Sequence, residues 1–278
     1  MSETPAWMKP QSDSAEFPPE IDTSTAHPAR IWDYWLGGKD NYAADRETGE
    51  QILTALPDMV ANARANRAFL ARAVRHLVEE AGIRQFLDIG TGIPAADNTH
   101  EVAQSIAPEC RIVYVDNDPV VLVHARALLV GTPEGATDYI DADLREPDVI
   151  LSRAARTLDF DRPVAVMLLG ILEFVPDTGE AAALVRRIMD AVPSGSHLVV
   201  SHSTNEVRGE AMDEAAQLWN EGGSTPLVLR SRADLAGLFE GLELVEPGVA
   251  SCSQWRPDTG GAAVPEAVAQ FCAVGRKP

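Results

Sequence analysis

From Arg84 onward the chain alternates short apolar runs with amphipathic stretches, and few folds accommodate that alternation. Gln85–Ile89, Arg111–Val115, Asp138–Ile140, Val164–Leu169 and His197–Ser201 read as strands. Helix signals fall between them. Asp118-Pro119 supplies a cap and a first-position proline, with Gly131 as the stop, and Ser231-Arg-Ala-Asp234 reads as a capping box opening a helix to Phe239. Strands separated by helices build a parallel sheet covered on both faces, because a parallel partner is reached only through a crossover. Leu242–Val245 and Phe271–Val274 are expected to pair as an antiparallel edge. The expected fold is therefore a doubly wound α/β domain over 82–278.

Upstream, residues 1–23 are rich in Ser, Thr, Pro and acids without periodicity and are expected to form a flexible tail. Residues 24–81 are expected to be a helical segment. Trp32, Tyr34, Trp35 and Tyr42, drawn from a chain with 5 Trp and 4 Tyr, crowd into the span 27–42, where a short helix should close at Gly37-Gly38. A longer helix follows Pro57, with Met59, Ala63, Phe69, Leu70, Ala73 and Leu77 on one stripe and Gly82 past its end.

The formal charge of −19 repels phosphate backbones. The one local concentration of arginine, Arg64, Arg67, Arg72 and Arg75, reads as the polar face of a helix, so nucleic acid is not an expected partner. Three scattered cysteines form no disulfide framework or metal motif and suit a reducing cytoplasm. The first 20 residues lack the apolar core of a signal peptide, and Val164–Val175, interrupted by Gly170 and Glu173, is too short to span a bilayer. A cytoplasmic protein without a membrane partner and without a metal is expected.

In a doubly wound sheet, ligands bind beyond the carboxyl ends of the strands, where strand order reverses. Asp88-Ile-Gly-Thr-Gly92 follows the first strand, Asp116-Asn117 ends the second, and Asp141-Ala-Asp143-Leu144 follows the third. Gly90 and Gly92 suit a tight loop close to a ligand, and with Ala95 they also satisfy a dinucleotide pattern, which keeps a nicotinamide-dependent oxidoreductase open. Asp88 weighs against a pyrophosphate and towards a ligand with cationic groups. Asp116 suits a ribose diol, and Asp143 with the Leu144 N–H suits an adenine edge.

These motifs resemble those of class I methyltransferases that use S-adenosyl-L-methionine. Arg30–Tyr42, Ala65–Leu70, Gln85–Gly92, Tyr114–Pro119 and Val274–Pro278 resemble, more narrowly, a bacterial S-adenosyl methyltransferase family long known only as a domain of unknown function. The resemblance implies a Rossmann-like, seven-stranded, mostly parallel sheet with an antiparallel edge hairpin and an N-terminal helical lid. It also implies S-adenosyl-L-methionine as cofactor and methyl transfer, though not the acceptor, which the net negative charge leads us to expect to be a small molecule. A non-enzymatic regulator binding the same cofactor is a second alternative. Asp88, Gly90, Thr91, Gly92, Asp116, Asn117, Asp143, Leu144 and Gly170 are the expected cofactor contacts. Arg67, beside Asn66, either anchors the methionine carboxylate or caps the lid. One departure stands out: Ile93-Pro94 occupies the place of a further glycine found in many such enzymes.

Methyl transfer needs alignment, desolvation and, for a protonated acceptor, a base. His202 at the fifth strand's carboxyl end and Glu173 beyond the fourth are the catalytic candidates, each with a plain structural alternative. Tyr34, Lys39 and Asn41 are candidates for the acceptor pocket, against a reading of their segment as simple packing.

Overall fold

The computed structural model describes residues 22–128, 131–222, 225–258 and 263–278. Of the expected tail only residues 22–23 are among them, and residues 129–130, just before the expected helix stop Gly131, lie outside them. Strands β1 (Gln85–Ile89), β2 (Arg111–Asp116), β3 (Ala136–Asp141), β4 (Ala165–Leu169) and β5 (His197–Ser203) run parallel in the order β3-β2-β1-β4-β5. The order reverses between β1 and β4, which puts a crevice at their carboxyl ends.

β6 (Glu243–Leu244), β7 (Ala250–Ser251) and β8 (Gln270–Arg276) complete the sheet, giving eight strands among the described residues rather than seven. β8 is antiparallel to β5 along its whole length, so β6 and β7 share its other edge, at Gly275–Arg276 and Phe271–Cys272. They are two pieces of one edge strand. Pro247, which has no N–H to donate, and Gly248, at φ 79°, interrupt it.

The nine described helices are α1 (Pro28–Leu36), α2 (Ala43–Ala55), α3 (Met59–Glu79), α4 (Thr99–Ile106), α5 (Pro119–Leu128), α6 (Pro147–Ala154), α7 (Thr178–Asp190), α8 (Glu210–Gly222) and α9 (Arg232–Gly237). The predicted caps hold. Asp118 Oδ1 accepts the Val120 N–H at 2.8 Å, and Ser231 and Asp234 exchange backbone bonds at the start of α9. None of the helices is long and apolar enough to cross a membrane.

Side-chain alternation sorts the sheet residues into two cores. Leu87, Ile89, Val113, Val115, Val166 and Leu168 face α6, α7 and α9, whereas Phe86, Ile112, Tyr114, Ala165 and Met167 face α3 and α4. From Phe69 onward α3 therefore covers a sheet face, while α1, α2 and the start of α3 at Met59 and Ala63 pack elsewhere. They join α8, which the sequence pattern did not announce, in a third core around Ile31, Trp35, Ile52, Met212 and Trp219. Trp35 lies 6.1 Å from Trp219, and Trp219 stacks on Phe174 at 5.7 Å.

Buried polar contacts fasten this layer. α1 closes at Gly37 in a left-handed conformation, as predicted, and the Gly38 N–H bonds the Asp33 carbonyl at 2.8 Å. Asp45, wholly buried, accepts the His27 N–H at 2.9 Å and the Tyr42 N–H at 2.7 Å, with Arg30 Nε 3.5 Å away. Asp45→Ala leaves two amide donors and a buried guanidinium without this acceptor and should lower stability by about 2–3 kcal/mol. Hydrogen exchange should then quicken across 28–55 while β1, β4 and β5 keep their protection. Uniform loss of protection would show that this clamp does not act separately from the sheet.

Candidate active site

A cavity of about 170 Å³ occupies the crevice at the strand-order reversal. The loops after β1 to β4 form its floor, and α1 and α3 supply its walls. Asp88 shares the sheet face of Phe86 by strand alternation and so meets α4, where Thr99 Oγ1 donates to Asp88 Oδ2 at 2.6 Å. Burial pushes the Asp88 carboxyl up to about 6, opposed by the Thr99 bond and the Arg67 guanidinium. Asp116 is raised by burial as well, against the backbone N–H groups of Asp118 at 3.0 Å and Gly92 at 2.8 Å. Each Asp116 oxygen thus accepts one backbone bond and keeps a lone pair for a ligand.

The other expected cofactor residues gather at the same cavity. Thr91, Asn117, Asp143, Leu144, Gly170 and Arg67 all line it. Asp143 accepts the Arg145 N–H at 2.8 Å and the Asn117 side-chain amide at 3.2 Å. Arg67 Nη2 donates to the Ala96 carbonyl at 2.7 Å, but Arg67 Nε and the neighbouring Asn66 Oδ1 are buried without a partner.

Gly90 and Gly92 line the cavity too, each with its own reason for lacking a side chain. A Cβ on Gly90, at φ +75°, would strike the Ile171 side chain at 2.5 Å, so glycine here lets the β1 loop close against the β4 loop. Gly92 has open space where its Cβ would sit, and its φ of +66° is what requires glycine. Ile93, near the place of the missing glycine, joins Val120 and Val121 in a small apolar cluster. The loop continues to Asn98, and α4 begins only at Thr99, with Glu101 accepting the Asn98 N–H at 2.8 Å. A pyrophosphate site needs the helix N-terminus directly after the glycines. Here it is displaced and carries an acid.

The structure does not bring Tyr34, Lys39 or Asn41 to the cavity. Tyr34 hydrogen-bonds Glu50, Lys39 is exposed, and Asn41 braces the loop through Asp33 at 2.8 Å and Arg46 at 3.0 Å. Helix phase explains the placement of Tyr34, since Pro28, Ala29, Trp32, Asp33 and Leu36 share the face of α1 that lines the cavity. That spacing was available in the sequence. The pairing of His27 Nδ1 with Asp118 Oδ2 at 2.7 Å was not, because it joins α1 to the end of β2.

His202 is also away from the cavity lining. Its Nδ1 faces the Ser203 carbonyl at 2.9 Å and its Nε2 lies 2.6 Å from Arg230 Nη1. Burial lowers its pKa to about 4, so it is a neutral ring holding an arginine. Glu173 is wholly buried beyond β4, and burial raises its carboxyl to about 7. Among the described residues, no three His, Cys, Asp or Glu side chains gather as a metal site.

The chain matches the S-adenosyl methyltransferase family over residues 14–278. No curated protein matches it. It is similar to the crystal structure of a DUF574 family protein from Streptomyces avermitilis, with 48% identity over 93% of this chain and 100% of that one, at a TM-score of 0.88. It is also similar to a crystal structure from Thermobifida fusca described as that of a proposed methyltransferase. There the identity is 38% over 95% of this chain and 99% of that one, at a TM-score of 0.85. A methyltransferase from Anabaena variabilis shares the fold at 11% identity, over 93% and 98% of the two chains, with a TM-score of 0.51.

The raised Asp88 carboxyl has a stability consequence. The folded chain holds a proton there that the unfolded chain has released, so stability falls as pH rises from about 4 to about 6. Asp88→Asn cannot titrate, and it should be more stable than the parent by about 3 kcal/mol at neutral pH, with the gap closing below pH 4. Urea unfolding of both chains from about pH 3.5 to 8 reads this difference. A gap independent of pH would assign it to packing instead.

Proposed function

Because the chain belongs to the S-adenosyl methyltransferase family, we propose that it transfers a methyl group from S-adenosyl-L-methionine to a small-molecule acceptor by direct displacement at the cavity above β1 and β4. S-adenosyl-L-methionine is the cofactor of the family, and it supplies an electrophilic methyl group on a sulfonium. The observation that carries the reading is the pair of buried carboxyls, Asp88 and Asp116, at neighbouring strand ends with raised pKa values. Such groups are stabilised by a ligand that brings positive charge and hydroxyl donors.

The remaining donors fit the same ligand. Asn66 Oδ1 and Arg67 Nε, buried and unpartnered, suit the ammonium and carboxylate ends of an amino acid. Asp116 suits the ribose diol. Asp143 with the Leu144 N–H suits the adenine edge, and Thr91, Asn117 and Gly170 would complete the contact. The chain's part in the chemistry is to align the reactants and exclude water under α1. Proton removal is not assigned to His202, whose basic nitrogen is occupied by Arg230.

Calorimetric titration with S-adenosyl-L-methionine, S-adenosylhomocysteine and NAD tests the reading. Micromolar binding of the first two and none of NAD is expected. Asp116→Ala should weaken S-adenosylhomocysteine at least tenfold without a change in circular dichroism. Binding of NAD alone would overturn the cofactor assignment.

A further inference from the structure

A second, much smaller cavity adjoins the first. Trp32 lines both, and Trp35, Trp219, Met212, Leu227 and Glu173 enclose the smaller one. At about 10 Å³ it admits a single water-sized group. The indole N–H groups of Trp35 and Trp219 are turned to backbone carbonyls, Gly49 at 3.4 Å and Thr225 at 2.9 Å, so these side chains line the cavity with apolar ring surface.

Into this apolar setting the chain inserts a carboxyl that is only half satisfied. Glu173 Oε2 accepts the Ser203 N–H at 3.1 Å, while Oε1 is buried without a partner. A Cβ on Gly170 would sit 3.3 Å from that oxygen and 3.8 Å from both Gln270 Nε2 and Trp32 Cζ2. Gln270 is buried too, and neither its Nε2 nor its Oε1 has a partner. Arg230, the neighbouring cation, is engaged by the carbonyls of Leu172 at 2.8 Å and Val175 at 2.7 Å and by His202. A buried acceptor left empty forfeits its hydration without recompense, which makes an arrangement of this kind a receptor for a donor group.

We propose that this cavity receives the amino group of the methyl acceptor, so that the enzyme methylates nitrogen on a primary or secondary amine carried by an apolar body. This assignment rests on the cofactor reading above. Three indole rings around a carboxylate favour a cation over a neutral hydroxyl. Glu173 Oε1, buried without a partner, is the open acceptor at this cavity and can take an N–H and then its proton. The apolar body then lies in the larger cavity against Trp32, Leu36, Ile171 and Phe174.

The chemistry balances on these groups. Glu173 Oε1 takes one proton from the ammonium, and the N–H bonding pair remains on nitrogen. That pair forms the new bond to the methyl carbon as the carbon–sulfur pair withdraws onto sulfur. The product leaves as a methylated ammonium, and Glu173 returns its proton to water. A carboxyl raised to about 7 by burial is matched to that exchange near neutrality.

The test reads binding. Benzylamine, phenethylamine and tryptamine, and the three corresponding alcohols, are titrated into the wild-type chain with and without saturating S-adenosylhomocysteine. At least one amine is expected to bind ten or more times as tightly as its alcohol. Glu173→Gln should abolish that preference while leaving S-adenosylhomocysteine affinity within twofold. Equal binding of amines and alcohols, no binding of any amine, or an unchanged preference in Glu173→Gln would overturn the proposal and leave the cavity as a buried water site. The probe series on the wild-type chain is decisive even if the variant does not fold. Failure of S-adenosylhomocysteine to bind would count against the cofactor reading, while the amine preference measured without it still decides this one.

Discussion

Asp88, Asp116 and Glu173 stand at or just beyond the carboxyl ends of three neighbouring strands, each out of water and each with its carboxyl raised by burial. Desolvation is the first cause in all three, and the hydrogen bonds from Thr99, Gly92, Asp118 and Ser203 offset only part of it. A chain selected for stability alone would place apolar side chains there, as it does one residue away at Leu87 and Val115. The rest of the architecture is arranged around holding these groups dry. The sheet fixes their spacing, α4 and the β4 loop brace them, and α1 with α2 and α8 closes over them.

The parallel core was legible because four of its strands, β1, β2, β4 and β5, are short, largely apolar runs, and a parallel sheet buries such runs on both faces. The strand-end acids were legible for the same reason, since topology alone sends strand ends to the crevice. The edge was harder. Ala250–Ser251 is two residues long, and only its pairing with β8 reveals that it continues β6 past Pro247-Gly248. α8 was missed because its apolar positions, Met212, Ala215 and Trp219, are few and answer to α1 and α2 rather than to the sheet.

Side-chain roles divided along similar lines. Tyr34 and Asn41 carry suggestive chemistry, but the helical phase of α1 and the Asp33 brace turn them from the cavity. His202 sits where a base is expected by strand position, yet its ring faces Arg230, contributed by a segment 28 residues later. Glu173 and Gln270 are far apart in sequence and converge at Gly170 only because β8 folds back beside β5. Local pattern cannot report a convergence made by the far edge of the sheet.

α1 contributes His27, at its N-cap, and Pro28 to the wall near Asp118, and Trp32 to the partition between the two cavities. Its nine residues form about two and a half turns of one rigid rod, so these contacts cannot move separately. A ligand that displaces the rod at one end therefore reshapes the wall at the other, and any coupling made in this way is reciprocal: the factor by which the first ligand alters the affinity of the second is the factor by which the second alters the first.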